Sequence, residues 1–193
     1  MKTTAIKRFV LISKIVTPIL ISLIVVYLFQ KLDFFKYNSF YFTVSSFGII
    51  ITLFNLKKIR YNIIINLISS ISLSFVVLFL SLLIGGGFIH LNEKLLILFN
   101  LDHISSIVIK EPVNIISVTV LSPILMFRSY RLLFQIKKNK YFKIVTVVSI
   151  LILLLLRLTE VIKFDDYLFV FWQSIMILAL QIILYKNEVI ELF

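Results

Sequence analysis

Residues 62–84 read NIIINLISSISLSFVVLFLSLLI, a stretch of 23 positions without a charged side chain. At about 1.5 Å per residue, a helix of this length can cross a hydrocarbon core about 30 Å thick. An uncharged apolar run of more than about 18 residues is typical of transmembrane helices. The stretch therefore predicts a membrane-spanning helix.

Five further apolar segments of similar length lie on either side of this stretch. They cover residues 9–29, 38–56, 113 to about 134, 144 to about 162, and 167–185. Hydrophobic residues make up 61% of the 193-residue chain, whereas soluble domains average about 45–50%. Lipid must cover the excess apolar surface. The sequence therefore predicts an all-α fold: one integral membrane domain over residues 1–193, built as a polytopic transmembrane helix bundle of about six spans.

Prolines and glycines predict where these helices bend or end. Thr17–Pro18 and Ser122–Pro123 should kink the first and fourth helices. The run Gly85-Gly86-Gly87 should end the third helix. The connection that follows contains an apolar stretch within residues 94–109, which predicts an amphipathic helix lying in the outer interface. A seventh span or a re-entrant segment is the alternative, although Glu93, Lys94, Asp102 and Glu111 argue against it.

The basic residues alternate with the apolar segments and predict an orientation. With the N-terminus inside, the inner segments hold 14 Lys and Arg against two acidic residues, a balance of +12. The outer segments hold six basic and seven acidic residues, a balance of −1. Basic residues concentrate on the cytoplasmic side of membrane proteins. We therefore expect both termini in the cytoplasm of a bacterial cell, with the chain in the cytoplasmic (inner) membrane.

Composition also bears on chemistry and partners. The chain has no cysteine and only two histidines, His90 and His103, which argues against thiolate chemistry and multi-histidine metal or haem centres. The net charge of +11 belongs to the ends of apolar segments, so we expect anionic lipid headgroups at the inner face as partners and no nucleic acid. We expect no cofactor, and a membrane protein partner remains an open alternative.

One candidate site is a ladder of basic residues after the fourth apolar segment. These residues recur at multiples of three positions: Arg128, Arg131, Lys137, Lys140 and Lys143. The pattern resembles the fourth helix of voltage-sensor domains, and six spans would match a voltage-gated cation channel. However, the first three spans contain no Asp or Glu to pair with moving charges, and residues 164–169 do not resemble a potassium filter. A basic inner loop that binds anionic headgroups or a partner is the alternative interpretation.

A second candidate is the pair Arg157 and Glu160, three residues apart near the outer end of the fifth helix, where one helical face can carry both. An interfacial salt bridge would explain the pair equally well. A third candidate is a set of outer acids and histidines that could bind a divalent cation or serve an enzyme, although solvated outer loops explain it as well. The members of this set are His90, Glu93, Asp102, His103, Glu111, Glu160, Asp165 and Asp166.

The third helix carries a polar face, which predicts either helix packing or a pore lining. Its members are Asn62, Asn66, Ser69, Ser70, Ser74 and Ser81. Tyr167 and Tyr185 at the ends of the sixth segment suit interface anchors. Together these features predict a non-catalytic membrane protein, a subunit of a membrane complex or a small transport-related protein. A voltage-sensor-like ion channel and a membrane-embedded enzyme with an outer acidic site are the alternatives.

Overall fold

A computed structural model describes residues 2–31, 39–98, 112–137, 139–159 and 168–192. Within these ranges the regular structure is helical, and no strand longer than an isolated bridge occurs. The helices are α1 (Lys2–Lys31), α2 (Ser39–Phe54), α3 (Ile63–Leu98), α4 (Pro112–Leu133), α5 (Lys140–Leu158), α6 (Leu168–Leu184) and the short α7 (Lys186–Leu192). The all-α prediction is confirmed for this part of the chain.

The six long helices close into a ring. Each packs against its neighbours in sequence, and α6 packs back against α1 and also contacts α2. Such sequential packing follows from short connections, which place consecutive helices side by side and antiparallel. The buried centre contains apolar side chains from α1, α2, α4 and α6, including Leu11, Phe47, Phe127 and Leu180.

Four of the helices are long and apolar enough to cross a membrane. The qualifying segments are Ile6–Phe29, Ile63–Leu96, Pro112–Leu133 and Lys140–Leu158. The apolar parts of α2 and α6 are shorter, Tyr41–Phe54 and Val170–Leu184. Large exposed hydrophobic side chains such as Phe9, Ile64 and Leu155 cover the outside of the ring, as expected for a surface in contact with lipid. The chain is therefore an integral membrane protein by composition and helix length.

The prediction that Gly85-Gly86-Gly87 ends the third helix is wrong, because α3 continues without interruption to Leu98. Glycine weakens a helix by only about 1 kcal/mol per residue, and backbone hydrogen bonds are stronger where water is scarce. The same continuation of α3 includes the first residues of the predicted amphipathic helix within residues 94–109. Residues 94–98 belong to α3, and residues 99–111 lie outside the described part of the chain.

The predicted kink at Ser122–Pro123 coincides with a change in helix type. The residues immediately before it, Ser117–Leu121, form a π-helical turn within α4. Pro18 lies inside α1, which is helical on both sides of it. Because Pro123 has no backbone N–H, the preceding turn can widen without losing a hydrogen bond that this residue would otherwise donate.

Gly48 allows a close approach between α2 and α3. A Cβ atom placed on Gly48 would lie 2.8 Å from the backbone nitrogen of Ile71 and 2.9 Å from the carbonyl carbon of Ser70. Both atoms belong to the backbone of α3, which cannot move aside as a side chain can. Small residues at such crossings let membrane helices pack closely.

We predict that Gly48→Ala lowers the free energy of unfolding by about 1–3 kcal/mol, because the added methyl group forces α2 and α3 apart. Gly86→Ala is the matched control, since a Cβ at Gly86 meets nothing within 4 Å. The control should leave stability unchanged or raise it slightly, as alanine favours the helix more than glycine does. Thermal unfolding in mild detergent measures both. Equal midpoints for the two variants would contradict the close approach.

Candidate functional site

The polar face of α3 points into the bundle. Asn66, Ser70, Ser74 and Ser81 are buried, whereas Asn62 is exposed and its side-chain oxygen accepts from the backbone N–H of Ile64 at the start of α3. This arrangement agrees with the interpretation that the polar face serves helix packing.

Two buried hydroxyl groups of this face, those of Ser70 and Ser74, are hydrogen-bonded across helices, whereas the Ser81 hydroxyl donates to the Val77 carbonyl within α3. The Thr52 hydroxyl on α2 donates to the Ser70 hydroxyl over 2.8 Å. The Tyr130 hydroxyl on α4 donates to the Ser70 carbonyl over 3.1 Å and lies 2.8 Å from the Ser74 hydroxyl. These bonds join α2, α3 and α4 in the buried centre of the bundle, where an unpaired hydroxyl costs several kcal/mol.

Tyr130 is the centre of this network. The side chain is fully buried, and its ring makes an edge contact with Phe47, with centroids 5.5 Å apart. On its other side the ring stacks on Phe134 at 5.9 Å. The sequence analysis missed Tyr130, because a single tyrosine inside an apolar segment has no distinguishing spacing.

The π-helical turn of α4 exposes a backbone carbonyl that α6 satisfies. The Ser122 N–H bonds to the Ser117 carbonyl in the wide register, and the next donor in that register would be residue 123. Because Pro123 has no N–H, the Val118 carbonyl stays available, and the Trp172 indole donates to it over 3.2 Å. Trp172 thus ties α6 to α4.

A cavity of about 130 Å³ lies beside this contact. Its walls are mostly apolar and come from α2, α3, α4 and α6. The hydroxyl and amide side chains among them are Thr43, Ser74, Ser81, Ser117, Ser122 and Gln173. Gln173 also donates to the Ser46 hydroxyl over 3.2 Å. The cavity has the size of a small apolar molecule.

A site with charged rather than apolar side chains lies at the end of the bundle where α1 begins and α7 is found. We call it the basic end, made of the first turns of α1, residues 55–62, residues 134–137 with Asn139, and α7. There the α2–α3 turn and the α4–α5 turn are joined by two backbone hydrogen bonds. The Arg60 N–H donates to the Leu133 carbonyl over 2.9 Å, and the Gln135 N–H donates to the Lys58 carbonyl over 3.0 Å.

Glu188 and Tyr185 gather lysines from two other elements at the basic end. The Glu188 carboxylate lies 3.0 Å from the Lys14 ammonium and 3.8 Å from that of Lys58. Both ammonium groups also lie over the Tyr185 ring, at 5.0 and 5.3 Å from its centroid. The predicted interface anchor Tyr185 is therefore buried beneath two lysines, where cation–π contacts hold α7 against α1. Tyr167 lies outside the described residues.

A second cavity, of about 330 Å³, opens beside this cluster. The two turns, the start of α5 and the α6–α7 junction line it, and its wall is polar. Lys58, Lys137, Lys186 and Glu188 contribute charge, and Asn139 and Tyr141 contribute further polar groups. The Asn139 side chain also caps α5, because its oxygen accepts from the Phe142 N–H over 2.8 Å.

The structure divides the basic ladder between two helices. Arg128 and Arg131 lie on α4, which ends at Leu133, whereas Lys140 and Lys143 lie on α5 and Lys137 lies in the turn between them. Lys137, Lys140 and Lys143 are exposed, as is Arg128, and Arg131 is half-buried. The five residues therefore do not form a ladder along one helix.

The remaining predicted sites lie mostly outside the described residues. Arg157 is half-buried in the last turn of α5, but Glu160 is not described, so their pairing stays a prediction. Of the outer acids and histidines, His90 and Glu93 lie on α3, and the others fall within residues 99–111 and 160–167. In the part of the chain that the structure describes, no three His, Asp or Glu side chains come together as metal ligands.

No protein family, curated protein or solved structure is detectably similar to this chain. The geometry of the chain itself therefore carries the functional argument.

We predict that the Tyr130 hydroxyl and Ser74 are energetically coupled. Tyr130→Phe keeps both ring contacts but removes the hydroxyl, and Ser74→Ala removes its neighbour. Each single change should cost about 1 kcal/mol of unfolding free energy, and the double variant should cost less than the sum by about 0.6 kcal/mol, as is usual for buried polar pairs in membranes. Tyr61→Phe, at an exposed tyrosine, should have no effect. Strict additivity in a double-mutant cycle would show that the two hydroxyls do not interact.

Proposed function

We propose that the chain crosses a bacterial cytoplasmic membrane six times, with both termini in the cytoplasm. Two observations support this topology. The charge balance of +12 against −1 favours it, and the elements that carry the positive charge meet at one end of the ring, where the two turns are hydrogen-bonded to each other. A membrane normal along the ring axis then places the whole basic end on one side.

The helices α2 and α6 are shorter than the hydrocarbon core that this topology requires them to cross. Their 16 and 17 residues correspond to about 24–26 Å, a few ångströms less than a hydrocarbon core of about 30 Å. Local thinning of the bilayer accommodates such a difference at a fraction of a kcal/mol per Å. Both helices also pack against α1, which is long enough to span alone.

We further propose a non-catalytic role, as a subunit of a membrane complex or a small transport-related protein, exercised through the basic end. The observation that carries the proposal is the exposure of Lys137 in the α4–α5 turn and of Lys140 and Lys143 at the start of α5. The turn is fixed to the rest of the bundle by its hydrogen bonds to the α2–α3 turn. Each lysine close to an anionic leaflet contributes about 1 kcal/mol of attraction. A rigid basic surface at the level of the inner headgroups suits binding to anionic lipid or to an acidic face of a partner membrane protein.

The division of the ladder between α4 and α5 favours this role over voltage sensing. A sensor helix gains only about 2.3 kcal/mol per charge per 100 mV, so it needs several charges on one movable helix, each with a partner in the membrane. Here α4 carries Arg128 and Arg131 alone. Its last residue is also hydrogen-bonded to Arg60 in the α2–α3 turn, a contact that opposes movement along the membrane normal.

Single cysteines test the topology, because the chain has none of its own. Tyr61→Cys and His90→Cys both replace exposed residues without removing a lysine or arginine. We expect an impermeant maleimide to label His90→Cys on intact cells and Tyr61→Cys only after permeabilisation. The unaltered chain is the control. Labelling of Tyr61→Cys alone on intact cells would reverse the proposed orientation.

Neutralising the exposed lysines tests the role of the basic end. The triple variant Lys137→Gln, Lys140→Gln and Lys143→Gln should retain less phosphatidylglycerol after purification in mild detergent, because attraction to anionic headgroups falls with each lysine removed. Recordings of the unaltered chain in planar bilayers should show no voltage-gated current. A steep voltage-dependent conductance that becomes shallower in Arg128→Gln and Arg131→Gln would overturn the proposal in favour of a channel.

A further inference from the structure

The polar cavity at the basic end has the dimensions of a binding site. Its volume of about 330 Å³ falls at the lower end of the range for small-molecule pockets, about 300–1,000 Å³. Elements far apart in sequence form its walls: Lys58 follows α2, Lys137 follows α4, and Lys186 begins α7. The two backbone hydrogen bonds between the α2–α3 turn and the α4–α5 turn keep Lys58 and Lys137 at the same cavity.

The charge on the walls favours an anion. Three lysines and one carboxylate, Glu188, line the cavity, which leaves a balance of 3 − 1 = +2. The nearest cation to Glu188 is Lys14 at 3.0 Å, and Lys14 is not part of the wall. Lys14 therefore compensates much of the carboxylate charge from outside, and the cavity is more positive than the simple balance indicates.

The lysines of the wall keep hydrogen-bond donors for a ligand. Lys186 lies over the Tyr141 ring at 5.7 Å from its centroid. Lys58 lies over Tyr185 and is also ion-paired with Glu188 at 3.8 Å, a distance longer than a hydrogen bond. A cation–π contact holds an ammonium group without occupying its N–H donors in strong hydrogen bonds. Among the described carboxylates, none lies within ion-pair distance of Lys137 or Lys186. The Asn139 side chain uses its oxygen to cap α5, so its amide N–H groups remain as donors.

We propose that this cavity binds one phosphate group, either the headgroup phosphate of an inner-leaflet lipid or a free phosphate anion. Lysines from three elements line the cavity, and their ammonium groups are the point charges that bind phosphate oxygens. The inference rests on the proposed role of the basic end and sharpens it, because it replaces general attraction to anionic lipid by a single saturable site formed by Lys58, Lys137 and Lys186.

Two variants with equal net charge test the site. Lys137→Gln with Lys186→Gln removes two lysines from the wall, and Lys7→Gln with Lys57→Gln removes two exposed lysines from the same end that do not line the cavity. Native mass spectrometry of the full chain in non-ionic detergent counts bound phosphatidylglycerol, with phosphatidylcholine as the headgroup without net charge. A second arm measures thermal unfolding in inorganic phosphate against sodium chloride at equal ionic strength.

We expect one molecule of phosphatidylglycerol to bind saturably to the unaltered chain and to the Lys7/Lys57 variant. The Lys137/Lys186 variant should bind at least about tenfold more weakly, since two charge-assisted contacts are lost. Lys137→Arg with Lys186→Arg keeps both charges and should bind within about threefold of the unaltered chain. Selective stabilisation by inorganic phosphate that is lost in the Lys137/Lys186 variant would identify free phosphate as the ligand.

Equal weakening in both glutamine variants would overturn the discrete site and leave the general role of the basic end intact. No preference of the unaltered chain for phosphatidylglycerol over phosphatidylcholine, together with no effect of phosphate, would overturn both proposals. If the Lys137/Lys186 variant does not fold, the single variant Lys137→Gln replaces it in the test, because Lys137 is exposed. Phosphatidylglycerol binding by Lys137→Gln that equals binding by the unaltered chain would exclude the site.

Discussion

Inside a bilayer no water is available to donate or accept hydrogen bonds, so every backbone polar group must find its partner within the protein, and a hydroxyl left without one there is costly. The described chain meets this demand for the backbone by being helical almost throughout. Where Pro123 removes a donor, the helix widens into a π turn and the Trp172 indole replaces the missing N–H. The junction between α4 and α6 is thus set by one hydrogen bond that hydrocarbon makes obligatory.

The same demand explains how the ring is held at its centre and at its end. Thr52, Ser70, Ser74 and Tyr130 satisfy one another across α2, α3 and α4, and Gly48 brings the backbones close enough for these short side chains to meet. At the basic end, where Lys57 and Lys137 are exposed, lysine ammonium groups replace hydroxyls as the polar contacts. There Glu188 and Tyr185 connect α7 to Lys14 of α1 and Lys58 of the α2–α3 turn.

Hydropathy and charge patterning predicted the six helices and the face of α3 that turns inward. Both features depend on which side chains are apolar enough to contact lipid and which polar side chains must face other helices. They could not predict how α3 ends. The glycines of residues 85–87 are typical of a break, but Gly85 instead lies against Ser117 of α4, and the helix extends for another eleven residues to Leu98. The ion pair between Lys14 and Glu188 could not be predicted either. Its members are 174 positions apart, and only the closure of the ring brings them together.

The spacing of the basic residues shows why a linear pattern is ambiguous without the fold. Positions three apart share a face only within one helix, and Leu133 ends α4 in the middle of the ladder. The turn that follows is anchored by Phe134, fully buried against Tyr130, and this aromatic stack fixes where the polypeptide leaves the bundle. Lys137 then lies beyond the end of α4, and Lys140 and Lys143 lie on α5. The residue that determines the character of the ladder is therefore Phe134, the one position in the series of three that is not basic.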